Sequence, residues 1–162
     1  MRIRAFFKDR HNAGVTHTGS ALVAVPLMDG GVIESVGDFE PKFKFKIING
    51  IDFFTVDADQ THGRVDVHCT LADDEGRSAR FTGEGVVKLT PEVLALVYSQ
   101  PDAKTPPFGA AIETFKFQTG HPEYKALEDM KFAGSQRFTY EDGVRTGIDI
   151  RISQLLSGTG MD

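Results

Sequence analysis

The chain has 162 residues and a net charge of −5, and its acidic and basic residues are mixed along its length. That size suits one domain able to bury a core or enclose a small cavity. The absence of a basic stripe or arginine cluster argues against nucleic acid and anionic membranes as partners.

Cys69 is the only cysteine, which excludes an internal disulfide and fits a reducing compartment. Residues 1–10 lack the apolar run and cleavage site of a signal peptide. No apolar run approaches the roughly 20 residues of a membrane helix. The expectation is a cytoplasmic protein, monomer or homodimer, whose partner is a small hydrophobic or aromatic molecule.

In chain order, strands are expected at 3–8, 20–27 and 31–36. Residues 42–47 alternate cleanly, with Phe43, Phe45 and Ile47 opposing three lysines, as in a strand with one dry and one wet face. A separate strand is expected at 51–57. Residues 64–71 alternate again, with Val65, Val67, Cys69 and Leu71 opposing Asp66, His68 and Thr70. The acidic turn 73–76 leads into a hairpin partner at 77–88, where Gly83 and Gly85 suggest a bend or bulge.

Thr90 is a suitable N-cap for a short helix from Pro91 to Tyr98. The proline-rich residues 101–109 form a loop. The segment 113–134 then reads as a strand, a Gly-His-Pro turn, one short amphipathic helix and a return strand, a strap that closes or covers something. Strands follow at 136–140 and 147–154, joined by a hairpin turn at 141–143. One domain spans 1–156, and 157–162 form a flexible tail.

Eight to ten short antiparallel strands with one or two short helices define an all-β chain. One-sided strands and thirteen Phe favour a single antiparallel β-barrel, with a sandwich as the alternative. A closed barrel of about eight strands holds packed side chains or one small ligand.

Several pieces carry a resemblance: residues 49–53, then 65–71 with the 73–76 turn, 81–85, 113–120, and 124–127 leading to 132–134. Their order and spacing, from about residue 30 to 155, resemble a small bacterial and fungal family of lipocalin-like β-barrels long catalogued as an uncharacterised protein family. The family pattern places an aromatic after Asp52, as Phe53 does here, and includes Asp52 and Asp66. The resemblance implies lyase or isomerase chemistry, without a cofactor, on a small hydrophobic and often phenolic molecule. Formaldehyde-releasing eliminations from lignin-derived dimers are among the implied reactions.

Asp52, Asp66 and His68 form the first candidate catalytic group. Asp66 and His68, two apart on a strand, leave the same face about 6.5–7 Å apart, a spacing at which carboxylate and imidazole can flank one substrate. Such groups can act as acid and base near neutrality. Periodicity alone also permits the opposite arrangement, in which the Asp66–His68–Thr70 face is the solvated outside.

Tyr124 is a fourth catalytic candidate, as a phenol able to donate to a developing oxyanion. Glu113 shares a strand face with Phe115 and Phe117, so it is either a residue of the barrel mouth or a functional acid. Phe43, Phe45, Phe53, Phe115 and Phe117 are candidates to line an aromatic pocket, and Arg80 to hold a substrate carboxylate. His121 reads as a turn residue and Cys69 as a buried inert thiol. No histidine pair has helical zinc-motif spacing, and no metal is expected. Two functions follow: an acid/base lyase or isomerase, or a carrier or sensor of a hydrophobic metabolite.

Overall fold

The computed structural model describes residues 1–97, 100, 103–141 and 144–158. Tyr98, the turn residues Asp142 and Gly143, and the tail from Thr159 onward lie outside the described residues, as do Ser99, Pro101 and Asp102.

Among the described residues there are ten strands: β1 (Arg2–Phe6), β2 (His11–Val15), β3 (Ala21–Pro26), β4 (Val32–Glu34), β5 (Lys44–Val56), β6 (His62–Ala72), β7 (Ser78–Lys88), β8 (Ala111–Gln118), β9 (Lys131–Glu141) and β10 (Val144–Leu155). A helix α1 (Pro91–Val97) and a 3-10 helix (Lys125–Asp129) complete them. The sheet order β5-β4-β1-β10-β9-β8-β7-β6 closes through β5–β6 pairing into an antiparallel barrel of eight strands. β3 and β2 extend from the β5 edge as an additional hairpin. The fold is the expected all-β barrel.

Its interior has two unlike halves. One is filled by aromatic rings: Phe81 stacks on Phe115 at 5.4 Å, and Phe117 meets Phe43 and Phe132 edge-on at 5.8 and 5.7 Å. Such pairs contribute about 0.5–1.5 kcal/mol each beyond area burial. Buried Tyr124 and Leu127, from the 3-10 turn and its N-terminal flank, join this cluster, so the expected strap closes the aromatic half. In the other half Val93 and Leu96 of α1 pack with Val65, Val87 and Phe138. Thr90 Oγ1 accepts from the Val93 N–H at 3.4 Å, the N-cap contact expected of it.

The course of β5 determines what faces the interior. The expected strands at 42–47 and 51–57 are one strand, and its pairing with β6 slips between Ile47 and Asn49. The extra residue, Ile48, points outward and is exposed. Before the slip the odd positions Phe45 and Ile47 are buried; after it Asp52, Phe54 and Val56 face inward.

The bulge expected at Gly83 and Gly85 does not form, because β6 and β7 pair without a break from Ala72↔Ser78 to His62↔Lys88. Those glycines make room instead. A Cβ on Gly83 would lie 2.9 Å from the Phe115 ring, and one on Gly85 would lie 2.3 Å from Glu113 Cγ. Strand β2 was not expected, since His-Asn-Ala-Gly-Val carries no apolar alternation.

Candidate functional site

The half of the barrel away from the aromatic plug is hollow. Its cavity, about 410 Å³, falls within the range of small-molecule sites. Its walls are mainly apolar: Val23 and Val25 of β3, Phe54 of β5, Val65 of β6, Phe138 of β9 and Ile148 of β10. Exposed Arg10, Asn12 and Gln60 stand at the mouth, whereas Glu113 and Gln136 are buried. The β2–β3 hairpin forms part of the wall at the mouth, through Asn12, Val15 and Ala21. Arg10 Nη1 donates to the Val97 carbonyl, joining the β1–β2 loop to the end of α1.

Three acidic residues line this space, Asp57 at the mouth and Asp52 and Glu113 within. Asp52 is turned inward by the β5 bulge, opposite Val25 on one side and Val67 on the other. Its Oδ1 accepts the Asp66 backbone N–H at 3.0 Å, which fixes the side chain against β6. Glu113 projects from β8 and is 1% exposed. Its directly paired cross-strand neighbours are Gly85 and Gly134, and a Cβ on Gly85 would come within 2.3 Å of Glu113 Cγ.

Among the described residues Glu113 Oε1 has no hydrogen-bond partner. Burial first, and the nearby Asp52 charge second, push the Glu113 carboxyl up to about 8. The same two causes, in the same order, push the buried Cys69 thiol up to about 12. At neutral pH Glu113 is therefore mainly a protonated acid, able to donate into the cavity. A protonated Glu113 near the Asp52 charge puts a donor and an acceptor in one cavity, the parts of an acid/base arrangement.

The structure divides the other candidates. Asp66 and His68 do share one strand face, but it is the outer one. His68 Nε2 and Asp66 Oδ1 are 2.9 Å apart, with side chains 43% and 53% exposed. The alternation of β6 puts Val65, Val67 and Cys69 inside, so these two cannot join Asp52 in the cavity. Arg80 also lies outside, where Nη1 donates to Gln118 Oε1 at 3.0 Å.

Phe53 is 40% exposed on the outer face, because the parity change at Ile48 gives the inward place to Phe54. Phe43, Phe45, Phe115 and Phe117 belong to the aromatic plug and do not line the hollow. Tyr124 is buried at the plugged end. Its hydroxyl donates to Asp73 Oδ2 at 2.7 Å and accepts from Arg77 Nη2 at 3.0 Å. Burial first, then the bond to Asp73, raise its ionisation above the ordinary phenol value. Of the expected site residues, Asp52 and Glu113 meet in the cavity.

Gln136 and Arg10 were not foreseen, and Phe54 lines the cavity where Phe53 was named. Asn49-Gly50 after two consecutive isoleucines was the available signal for the bulge that selects Phe54. Gln136 could have been found from its alternation with Phe138, and Arg10 carried no signal. Among the described residues no group of three His, Cys, Asp or Glu stands where it could hold a metal ion. No helix among them is long and apolar enough to cross a membrane.

A family model described as "Protein of unknown function (DUF3237)" matches residues 1–155. The chain belongs to that family. This DUF3237 member is similar over 96% of its length to the crystal structure of a conserved protein of unknown function from Rhodopseudomonas palustris. That match has 20% identity and a TM-score of 0.75 and covers 93% of the other chain. A protein with unknown function from Clostridium acetobutylicum matches at 16% identity and TM-score 0.69, covering 96% of this chain and 95% of that one. A protein from Acinetobacter baumannii, described as β-barrel like, matches at 18% identity and TM-score 0.66, covering 93% and 90%. At these identities the DUF3237 likeness establishes a shared fold. No match is found among the curated proteins.

Proposed function

We propose that the protein is a cofactor-independent lyase or isomerase that moves protons within a small hydrophobic, aromatic or phenolic molecule held in the barrel. The observation that carries this reading is Glu113, buried with an unpartnered oxygen, near Asp52 in a hollow walled mainly by apolar side chains. A carboxyl group left so destabilises the fold, and a passive container has no use for it. Asp52 serves as the base and Glu113 as the acid that protonates a developing oxyanion or leaving hydroxide.

For a formaldehyde-releasing elimination, Asp52 takes the proton of a hydroxymethyl O–H. The adjoining carbon–carbon bond breaks to give formaldehyde, its electron pair forms the new double bond, and the neighbouring hydroxyl leaves as water with the proton of Glu113. Such a reaction belongs to the catabolism of aromatic compounds. Residence in the cytoplasm is supported by the single unpaired Cys69.

The test is incubation with a panel of phenolic dimers and hydroxyketones, following products by chromatography and free formaldehyde by derivatisation. Turnover of one compound, lost in Glu113→Gln and Asp52→Asn variants that keep the wild-type circular dichroism spectrum, supports the reading. Turnover undiminished in both variants overturns it. A second reading, a carrier of a hydrophobic metabolite, is favoured by the outward placement of Asp66 and His68. It predicts tight binding of a compound that is recovered unchanged.

A further inference from the structure

We infer that the cavity selects an uncharged ligand that enters with an oxygen leading, a hydroxyl or carbonyl group seated between Glu113 and Asp52, and that it discriminates against both carboxylates and amines. This deepens the proposed function and rests on the cavity being the substrate site.

The argument begins with the distribution of polarity. Along the cavity, exposure falls from Arg10, Asn12 and Gln60 at the mouth to buried Glu113 and Gln136. The walls between are apolar, with Val23, Val25, Val65 and Val67 on adjoining strands. The inner end is thus polar and dry, whereas the polar groups of the mouth have water, so a ligand with one polar group and an apolar body is best matched with that group inward. Reversed, it would leave Glu113 Oε1 without a partner and set an apolar body against the buried carboxyl group.

The chemistry of the carboxyl pair then fixes the kind of head group. Burial and the Asp52 charge keep Glu113 protonated near neutrality, so it presents an O–H donor. An ammonium group is drawn by the Asp52 charge, but it has only donors, leaves the Glu113 proton without an acceptor, and is stripped of water in an apolar hollow, a penalty that outweighs the attraction. A carboxylate can accept, but it would bring a second negative charge toward Asp52 in a low-dielectric space. A hydroxyl or carbonyl oxygen accepts from Glu113 without either penalty, and a hydroxyl also donates to a carboxylate. The neighbouring glycine seats the donor itself: a Cβ on Gly85 would come within 2.3 Å of Glu113 Cγ, so its absence lets the carboxyl side chain lie against β7.

A matched set of probes tests this on the intact protein: 4-biphenylmethanol, biphenyl-4-carboxylate, 4-(aminomethyl)biphenyl and biphenyl itself, titrated at pH 7 by calorimetry. The alcohol is expected to bind at least about tenfold more tightly than the acid or the amine. Asp52→Asn is expected to strengthen binding of the acid at least about fivefold. Glu113→Leu, which removes the donor, is expected to bring the alcohol down to the affinity of biphenyl.

Tightest binding by the acid or the amine overturns the inference while leaving the cavity as a ligand site. Equal affinities for all four probes do the same. Failure of every probe to bind, in a protein whose melting curve is intact, overturns this inference and the proposed function together.

Discussion

Replacing Glu113 with glutamine keeps the size and polarity of the side chain and removes its proton equilibrium. In the folded protein the carboxyl titrates at about 8, against 4.5 for an unperturbed glutamic acid. Because the folded value is the higher one, the proton-bound form favours folding. That contribution is complete below 4.5 and is lost as pH rises toward 8. The difference corresponds to about 5 kcal/mol of stability withdrawn from the wild type in alkaline solution.

The charged and polar groups that share the cavity with Glu113 can be named from each surrounding element. β5 contributes Asp52; the mouth contributes Arg10 and Asp57, the latter held by Arg64 at 2.7 Å. β9 and β10 present uncharged Gln136, Ile148 and Ile150. The Glu113→Gln variant should therefore match the wild type closely at pH 5 and exceed it by roughly 4 kcal/mol at pH 9, about 8–16 °C in Tm for a domain of this size. Urea denaturation at the two pH values, followed by circular dichroism, provides the measurement. Adding Asp52→Asn to both proteins should narrow the gap, since the Asp52 charge is the second cause of the shift. Parallel stability curves for wild type and Glu113→Gln from pH 5 to 9 would refute a desolvated, titrating Glu113.

Other perturbations separate the cavity from the rest of the barrel. Gly85→Ala places a Cβ 2.3 Å from Glu113 Cγ and 2.7 Å from the Ile112 carbonyl; it should cost about 1–3 kcal/mol in urea denaturation. Gly120→Ala, with open space around it, should change stability by less than about 0.5 kcal/mol. Tyr124→Phe should lower stability by about 1 kcal/mol through the lost bond to Asp73, yet leave ligand affinity unchanged by calorimetry. His68→Ala should leave both ligand affinity and turnover within about twofold of wild type, because the imidazole stands outside the barrel. A tenfold loss there would return the outer Asp66–His68 pair to the reaction.

Period-two alternation exposed most of the barrel, because a strand with one wet and one dry face must repeat that way. Residues 64–71 and 111–118 needed nothing more, and their inner faces are those the pattern implies. The pattern becomes ambiguous where the inner face itself turns polar. Glu113 stood in line with Phe115 and Phe117 and was legible as an acid inside or at the rim. Asp66 and His68 looked equally chemical, although their neighbours Val65, Val67 and Cys69 had the stronger claim to the interior.

Long-range register was the missing information. Whether Gly85 flanks a carboxylate, or Phe53 rather than Phe54 meets a ligand, depends on the partner strand and on one extra residue. β2 was invisible for a different reason: it is held by its hairpin with β3 more than by an apolar face of its own.

Ile48 has a consequence out of proportion to its exposed side chain. It lets a single unbroken ribbon, β5, furnish filler at one end and vessel wall at the other. Pairing the same residues without that slip, with Ile48 rather than Asn49 opposite Thr70, would exchange the two sides of everything downstream, sending Asp52 into solvent and swinging Phe53 indoors. Excising Ile48 would instead straighten the ladder with Asn49 still opposite Thr70, and the vessel wall beyond it would stand as it is.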